Sequence, residues 1–287
     1  MSEWRELAER IASVTGGPAP DAVAKGAAGG CINQAVILGS ASRRFFVKLN
    51  RASRVEMFAA EQLGLEALAA SGAIRVPTPI CHGCSGERSY LVLEYLELGG
   101  SGDEARAGEA LAQLHRCHAP RFGWQRDNTI GSTPQPNGWL AGWIDFWRQR
   151  RLGYQLQLAG GVLEARGQRL LQQLPALLTH HPRPTLLHGD LWGGNLAYTP
   201  QREPVIYDPA VYYGDPETDL AMTELFGGFS PRFYAAYRQI NPIDPGYQVR
   251  KLLYNLYHVL NHYNLFGGGY YQHSLAIIER LLVEIEG

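Results

Sequence analysis

The stretch Leu187-His188-Gly189-Asp190-Leu191-Trp192-Gly193-Gly194-Asn195, followed by Ile206-Tyr207-Asp208-Pro209-Ala210, decides the reading of this chain. A short apolar run, Thr185–Leu187, leads into a tight loop that holds a carboxylate at Asp190 and an amide at Asn195. Two short strands, Leu196–Tyr198 and 204–208, flank the turn that follows and end on Asp208. An Asp and an Asn so close on one loop can point into one cleft. One carboxylate there can orient a hydroxyl and accept its proton. A second carboxylate and an amide oxygen are the hard donors that Mg²⁺ prefers. The plain alternative is a polar turn in which Asp190 only caps a helix. The apolar lead-in and the later Ile-Tyr-Asp weigh against it.

Working outward, Trp4, Leu7, Ala8 and Ile11 recur at helical spacing, and Gly16-Gly17-Pro18 ends that helix. A glycine-rich corner, Lys25-Gly26-Ala27-Ala28-Gly29-Gly30-Cys31, opens into a predicted hairpin over 32–38 and 44–49. Its return strand carries Phe46-Val47-Lys48, one of only three Lys among 26 basic residues. Residues 54–70 form a helical pattern with Glu56, Glu61 and Glu66, and 74–80 and 90–96 read as strands. Leu98-Gly99-Gly100-Ser101-Gly102 is a linker. Beyond it the pattern is helical over 104–118, rich in Trp over 121–147, helical again to Thr179, and mostly helical from Glu217. The fold class is therefore α+β, with a small β-rich half to about residue 97 and a larger helical half after it. A catalytic-loop Asp and Asn, a later metal-binding Asp, and a strand Lys paired with a Glu on the next helix are the parts of a kinase. The glycine corner is neither a Walker A motif nor the kinase G-x-G-x-x-G, though its N–H groups can cover phosphates.

Composition sets the outer limits. Of 287 residues 45% are hydrophobic and 18% charged, which affords a packed core and excludes wholesale disorder. A net charge of −1 argues against a dedicated nucleic-acid binder. No apolar run is long enough for a membrane span, the N-terminus does not read as a signal peptide, and four Cys are too few for a disulfide scaffold. The expected location is a reducing cytoplasm.

These motifs resemble the fructosamine kinase (ketosamine-3-kinase) family, of the protein-kinase-like aminoglycoside/choline phosphotransferase fold. The resemblance rests on Gly29-Gly30-Cys31-Ile32, Phe46-Val47-Lys48, Leu65-Glu66-Ala67-Leu68, the loop 187–195, 206–210, Phe226-Gly227-Gly228-Phe229 and Leu260-Asn261-His262, nearly end to end. It implies a two-lobed kinase, with residues 1–97 as nucleotide-binding lobe and 98–287 as catalytic and substrate-binding lobe. The implied reaction is ATP- and Mg²⁺-dependent phosphorylation of the O3 hydroxyl of a ketosamine, small or protein-bound, as deglycation repair. Asp190 would be the base, Asn195 and Asp208 the metal ligands, and Lys48 the phosphate contact with Glu61 as its partner. Gly29 and Gly30 would cover the phosphates, Glu94 and Leu96 would offer backbone groups to adenine, and Trp192 and His262 would face the sugar. Asp219, in Glu217-Thr218-Asp219-Leu220-Ala221, would brace the catalytic loop. A kinase of this fold acting on an aminoglycoside or choline, and a non-catalytic nucleotide-binding module, are the competing functions.

Several residues admit a second reading. Trp192 suits either a core or a sugar-stacking role, and His262 sits on an apolar helical pattern where a core role is the commoner reading, so its substrate role rests mainly on the resemblance. The tyrosines at 254, 257, 263, 270 and 271 read as core and cleft wall. Cys81-His82-Gly83-Cys84 suggests zinc, but the second C-x-x-C is missing and a turn between strands is the favoured reading; His115, Cys117 and His118 are the remaining candidate ligands. Arg148-Gln149-Arg150-Arg151 reads as a solvated helix face. Cys31, at the phosphate-covering corner, is a candidate redox thiol and a candidate link in a disulfide homodimer.

Overall fold

The computed structural model describes residues 2–24, 32–39 and 43–286. The first elements in chain order are α1 (Ser2–Thr15), β1 (Ala22–Ala24), β2 (Gln34–Gly39), β3 (Arg44–Arg51), α2 (Val55–Ala70), β4 (Pro79–Ser85), β5 (Arg88–Glu94) and α3 (Glu104–Leu114). Next come β6 (Asn128–Ile130), β7 (Thr133–Gln135), α4 (Trp143–Phe146), a π-helical stretch Trp147–Leu152, α5 (Gly153–Ala159), α6 (Gly161–Gln172) and α7 (Leu174–Leu177). The chain continues through β8 (Thr185–Leu187), β9 (Leu196–Tyr198), β10 (Pro204–Ile206), β11 (Tyr212–Gly214), α8 (Glu217–Leu225), α9 (Pro231–Ile240), α10 (Tyr247–Phe266) and α11 (Tyr270–Glu286). These elements form two compact units, Met1–Gly102 with Ala197–Asp208, and Asp103–Leu196 with Pro209–Gly287.

The first unit is built on an antiparallel sheet of order β1-β2-β3-β5-β4. Alternation along β3 sends Phe45, Val47 and Leu49 into a core with Leu7 and Ile11 of α1, Leu38, Cys81, Tyr90 and Val92. Each such side chain contributes roughly 1.5–3 kcal/mol by leaving water. Lys48 therefore lies on the opposite pleat. Helix α2 buries Phe58, Leu65 and Leu68 and carries Glu61. The segment 197–208 belongs here because the Gly99 N–H bonds the Tyr198 carbonyl at 2.7 Å and the Ile206 N–H bonds the Arg75 carbonyl at 3.0 Å. A single cut at residue 97 separates Arg75 from Ile206.

Two expectations in this unit are corrected. The strand expected over 74–80 begins only at Pro79 and runs to Ser85. Pro77 and Pro79 lack the N–H groups that a ladder needs, so pairing starts only at Pro79, opposite Leu93, and the register shifts between Pro79 and Cys81. Consequently Cys81-His82-Gly83-Cys84 is strand rather than turn. Cys81 is buried and Cys84 exposed, and both are free thiols.

The second unit packs α10 against α5, α8 and α11, and α3 against α9. Strand β8 pairs antiparallel with β11, Leu187 opposite Tyr212, and this two-stranded ladder delivers the loop 188–195. Strands β6, β7 and β11 have three residues each, too short to show a period in sequence. The solvated face expected at 148–151 is also corrected, because Arg151 is fully buried. The π-helical stretch turns its guanidinium inward, 3.8 Å from the centre of the Tyr212 ring. There it donates to the carbonyls of Pro136 and Arg150 and to Asn137 Oδ1.

Candidate active site

In the first unit, Lys48 Nζ forms ion pairs with Glu61 and, at 2.5 Å, with Asp208. Of the three candidate acids on α2, Glu61 takes this place, while the Glu66 carboxylate accepts from Gln62 at 2.7 Å. Burial works against the Lys48 charge, but the two carboxylates outweigh it and hold its pKa above the ordinary value. Burial raises the Glu61 pKa, with Lys48 opposing. Asp208 has φ +57°, a left-handed conformation that Asp tolerates better than most residues. Its side chain stays 42% exposed, so the carboxylate is paired and open at once.

At the end of β5, the Glu94 N–H donates to the Thr78 carbonyl at 2.8 Å. Its carboxylate takes the Arg75 guanidinium at 2.5 Å and the Thr78 N–H at 3.1 Å. Leu96 lies just past the strand, partly exposed. Gly29, Gly30 and Cys31 lie outside the described residues.

The second unit holds the loop 188–195. Gly189 adopts φ +83°, and a Cβ there would meet the Ala210 carbonyl oxygen at 2.1 Å, so only glycine fits. The buried carboxylate of Asp219 accepts the N–H groups of His188 and Gly189, both at 2.8 Å. It also faces His115 Nε2 at 3.2 Å, and His115 Nδ1 lies 2.8 Å from the Tyr237 hydroxyl. Burial alone would raise the Asp219 pKa, but the hydrogen bond and charge of His115, with His188 and the Gly189 N–H, bring it below the usual value. Asp219 therefore braces the loop, and His115 and Tyr237 extend that brace to α3 and α9. Neither extension was visible in the sequence.

Asn195 donates from Nδ2 to the Asp190 carbonyl at 2.8 Å, which leaves its Oδ1 as the acceptor. That oxygen and the open Asp208 carboxylate are hard donors and fit Mg²⁺ chemistry. Trp192 is 38% exposed, which excludes the core reading. A Cβ on Gly194 would lie 2.3 Å from the Trp192 ring, so the missing side chain lets the indole fold back over the loop. Among the described residues, the Cys and His candidates for zinc form no metal-ligand group. His180, Asp215 and Glu217 do come together. There Arg250 forks onto Glu217, and His180 and the Tyr254 hydroxyl bond Asp215, so the acids are satisfied from within.

The fructosamine kinase profile matches residues 3–284. The chain belongs to the fructosamine kinase family. A Synechocystis sp. protein named "Probable ketoamine kinase" is 51% identical over 97% of both chains. The protein-ribulosamine 3-kinase of Arabidopsis thaliana, a chloroplastic protein, is 45% identical over 88% of this chain and 81% of its own. The crystal structure of a Haemophilus somnus protein placed with the fructosamine-3-kinases is 30% identical, covers 98% of each chain and has a TM-score of 0.89. A choline kinase from Streptococcus pneumoniae, 14% identical over 100% of this chain and 99% of its own, shares the protein-kinase-like fold at a TM-score of 0.62. Membership makes the chain an ATP-using kinase with a hydroxyl acceptor. No helix among the described residues is long and apolar enough to cross a membrane.

Proposed function

We propose that this chain transfers the γ-phosphoryl group of ATP to the O3 hydroxyl of a ketosamine, with Mg²⁺ as the metal and the cytoplasm as the working compartment. In this reaction the O3–P bond forms, ADP departs, and the hydroxyl proton passes to the Asp190 carboxylate. Lys48 contacts the nucleotide phosphates, and Glu61 keeps its ammonium charged and aimed. Asn195 Oδ1 and the Asp208 carboxylate would hold the metal. When bound, the metal would neutralise the charge of the phosphates. Glu94 and Leu96 offer backbone groups to adenine. Trp192 lies against the acceptor, as does His262. The reading is carried above all by the Lys48 ammonium paired with Glu61 and Asp208, which gives a buried, permanently charged group for phosphate.

The experiment is coupled ADP release against fructosamines and ribulosamines, with choline and an aminoglycoside as controls. Turnover only with ketosamine, ATP and Mg²⁺ together supports the reading. Turnover of choline or the aminoglycoside alone overturns the substrate. Asp190→Asn should lower kcat by orders of magnitude with ATP affinity near wild type. Asp208→Asn, which keeps the left-handed backbone accessible, should instead weaken Mg·ATP binding.

A further inference from the structure

Around Trp192 and His262 the second unit carries a run of rings, and Phe226, which joins the two, has no part in the proposed reaction. The Trp192 and Phe226 rings meet edge to face at 5.9 Å, and the Phe226 and His262 rings lie 5.0 Å apart. His262 in turn lies 5.1 Å from Tyr270 and 5.8 Å from Phe266. Three of these rings are open to water: Trp192 and Phe226 at 38% and Phe266 at 56% exposure. A contiguous set of exposed aromatics marks a place where something binds. Its near end, Trp192, lies on the loop of the proposed base, two residues along the chain from Asp190.

The chemistry of His262 says what kind of group fits. Its Nδ1 lies 2.8 Å from the His258 carbonyl, which can only accept, so Nδ1 carries a proton. In the neutral ring Nε2 then keeps a lone pair. Aromatic faces attract cations, and a ring nitrogen lone pair accepts from an N–H donor. A ketosamine offers one such group beside its sugar, the secondary amine, which is protonated at neutral pH. A sugar hydroxyl or a carboxylate gains nothing comparable from a ring face.

We propose that Phe226, between Trp192 and His262, forms a cation subsite for the protonated amine of the ketosamine. It rests on the ketosamine reading above. The subsite makes the enzyme select charged amine adducts over neutral isosteres of the same shape, and makes Phe226 a specificity-determining residue.

The test compares 1-deoxy-1-(alkylamino)fructose with the 1-O-alkyl ether of fructose, which has the same length and no charge. For wild type, kcat/KM should favour the amine by about tenfold or more. In Phe226→Leu, which keeps apolar bulk and removes the ring, that ratio should fall toward one. In Phe226→Tyr, which keeps the ring, it should persist. Because the readout is a ratio, a general loss of folded enzyme cancels. A wild-type ratio near one, or an unchanged ratio in Phe226→Leu, overturns the subsite while ketosamine turnover stands. If neither compound is turned over but choline or an aminoglycoside is, the functional reading fails and the subsite with it.

Discussion

The buried carboxylate of Asp219 accepts the backbone N–H of Gly189 at 2.8 Å, and its second oxygen takes the N–H of His188 at the same distance. A side chain on α8 thus carries two consecutive peptide groups of the loop that presents Asp190. An amide has only one acceptor oxygen, and its NH₂ would face a second N–H. Asp219→Asn is expected to cost about 2–4 kcal/mol in stability, the scale of charged hydrogen bonds lost in an interior. In the folded fraction kcat should fall while KM for ATP changes little. Urea unfolding and steady-state kinetics on the same preparation check both.

Acid stability should be set by two groups in turn. Burial, with help from His262, pushes the His258 pKa down to about 3. The unfolded chain binds that proton near pH 6.5, so stability is full above 6.5 and drains as pH falls toward 3. The loss between pH 6.5 and 5 should be about 2 kcal/mol. Asp219, whose pKa is lowered in the fold, adds a further loss only below about pH 4. His258→Gln should flatten the urea midpoint between pH 6.5 and 5 and leave the steeper fall below pH 4 in place. An unchanged slope between pH 6.5 and 5 would contradict the assignment.

Gly194→Ala tests how the Trp192 indole is held. The new methyl would sit 2.3 Å from the Trp192 ring and must displace it. KM for the ketosamine should rise roughly tenfold, with KM for ATP within about twofold of wild type. Equal changes in both constants would mean that the loop as a whole has moved.

Glu61→Ala leaves Lys48 buried with Asp208 as its remaining carboxylate. Because one partner stays, the cost should be at most about 3 kcal/mol, the low end for a broken buried pair. KM for ATP should rise and ketosamine KM should not. Glu61→Gln, which keeps the shape and loses the charge, should fall between Ala and wild type in isothermal titration with ATP.

Local pattern was enough for much of this protein. The alternation of Phe45, Val47 and Leu49 on β3 already implied that Lys48 faces the other way, because side chains alternate along any strand. The spacing from Asp190 to Asn195, and the apolar lead-in through Leu187, marked the loop proposed as catalytic, since all its parts lie on a few consecutive residues. Only the tertiary structure decided which groups from distant segments meet. It closed the Lys48–Glu61 pair that the family resemblance implied and added Asp208 to it, joined 197–208 to the first unit through Gly99 and Arg75, and turned Arg151 from a solvent face into the interior. It also brought His115 and Tyr237 behind Asp219 and aligned Phe226 with His262. Periodicity reports which face of an element is apolar. It carries no information on which other element covers that face, and buried polar partners and exposed ring clusters are properties of that pairing.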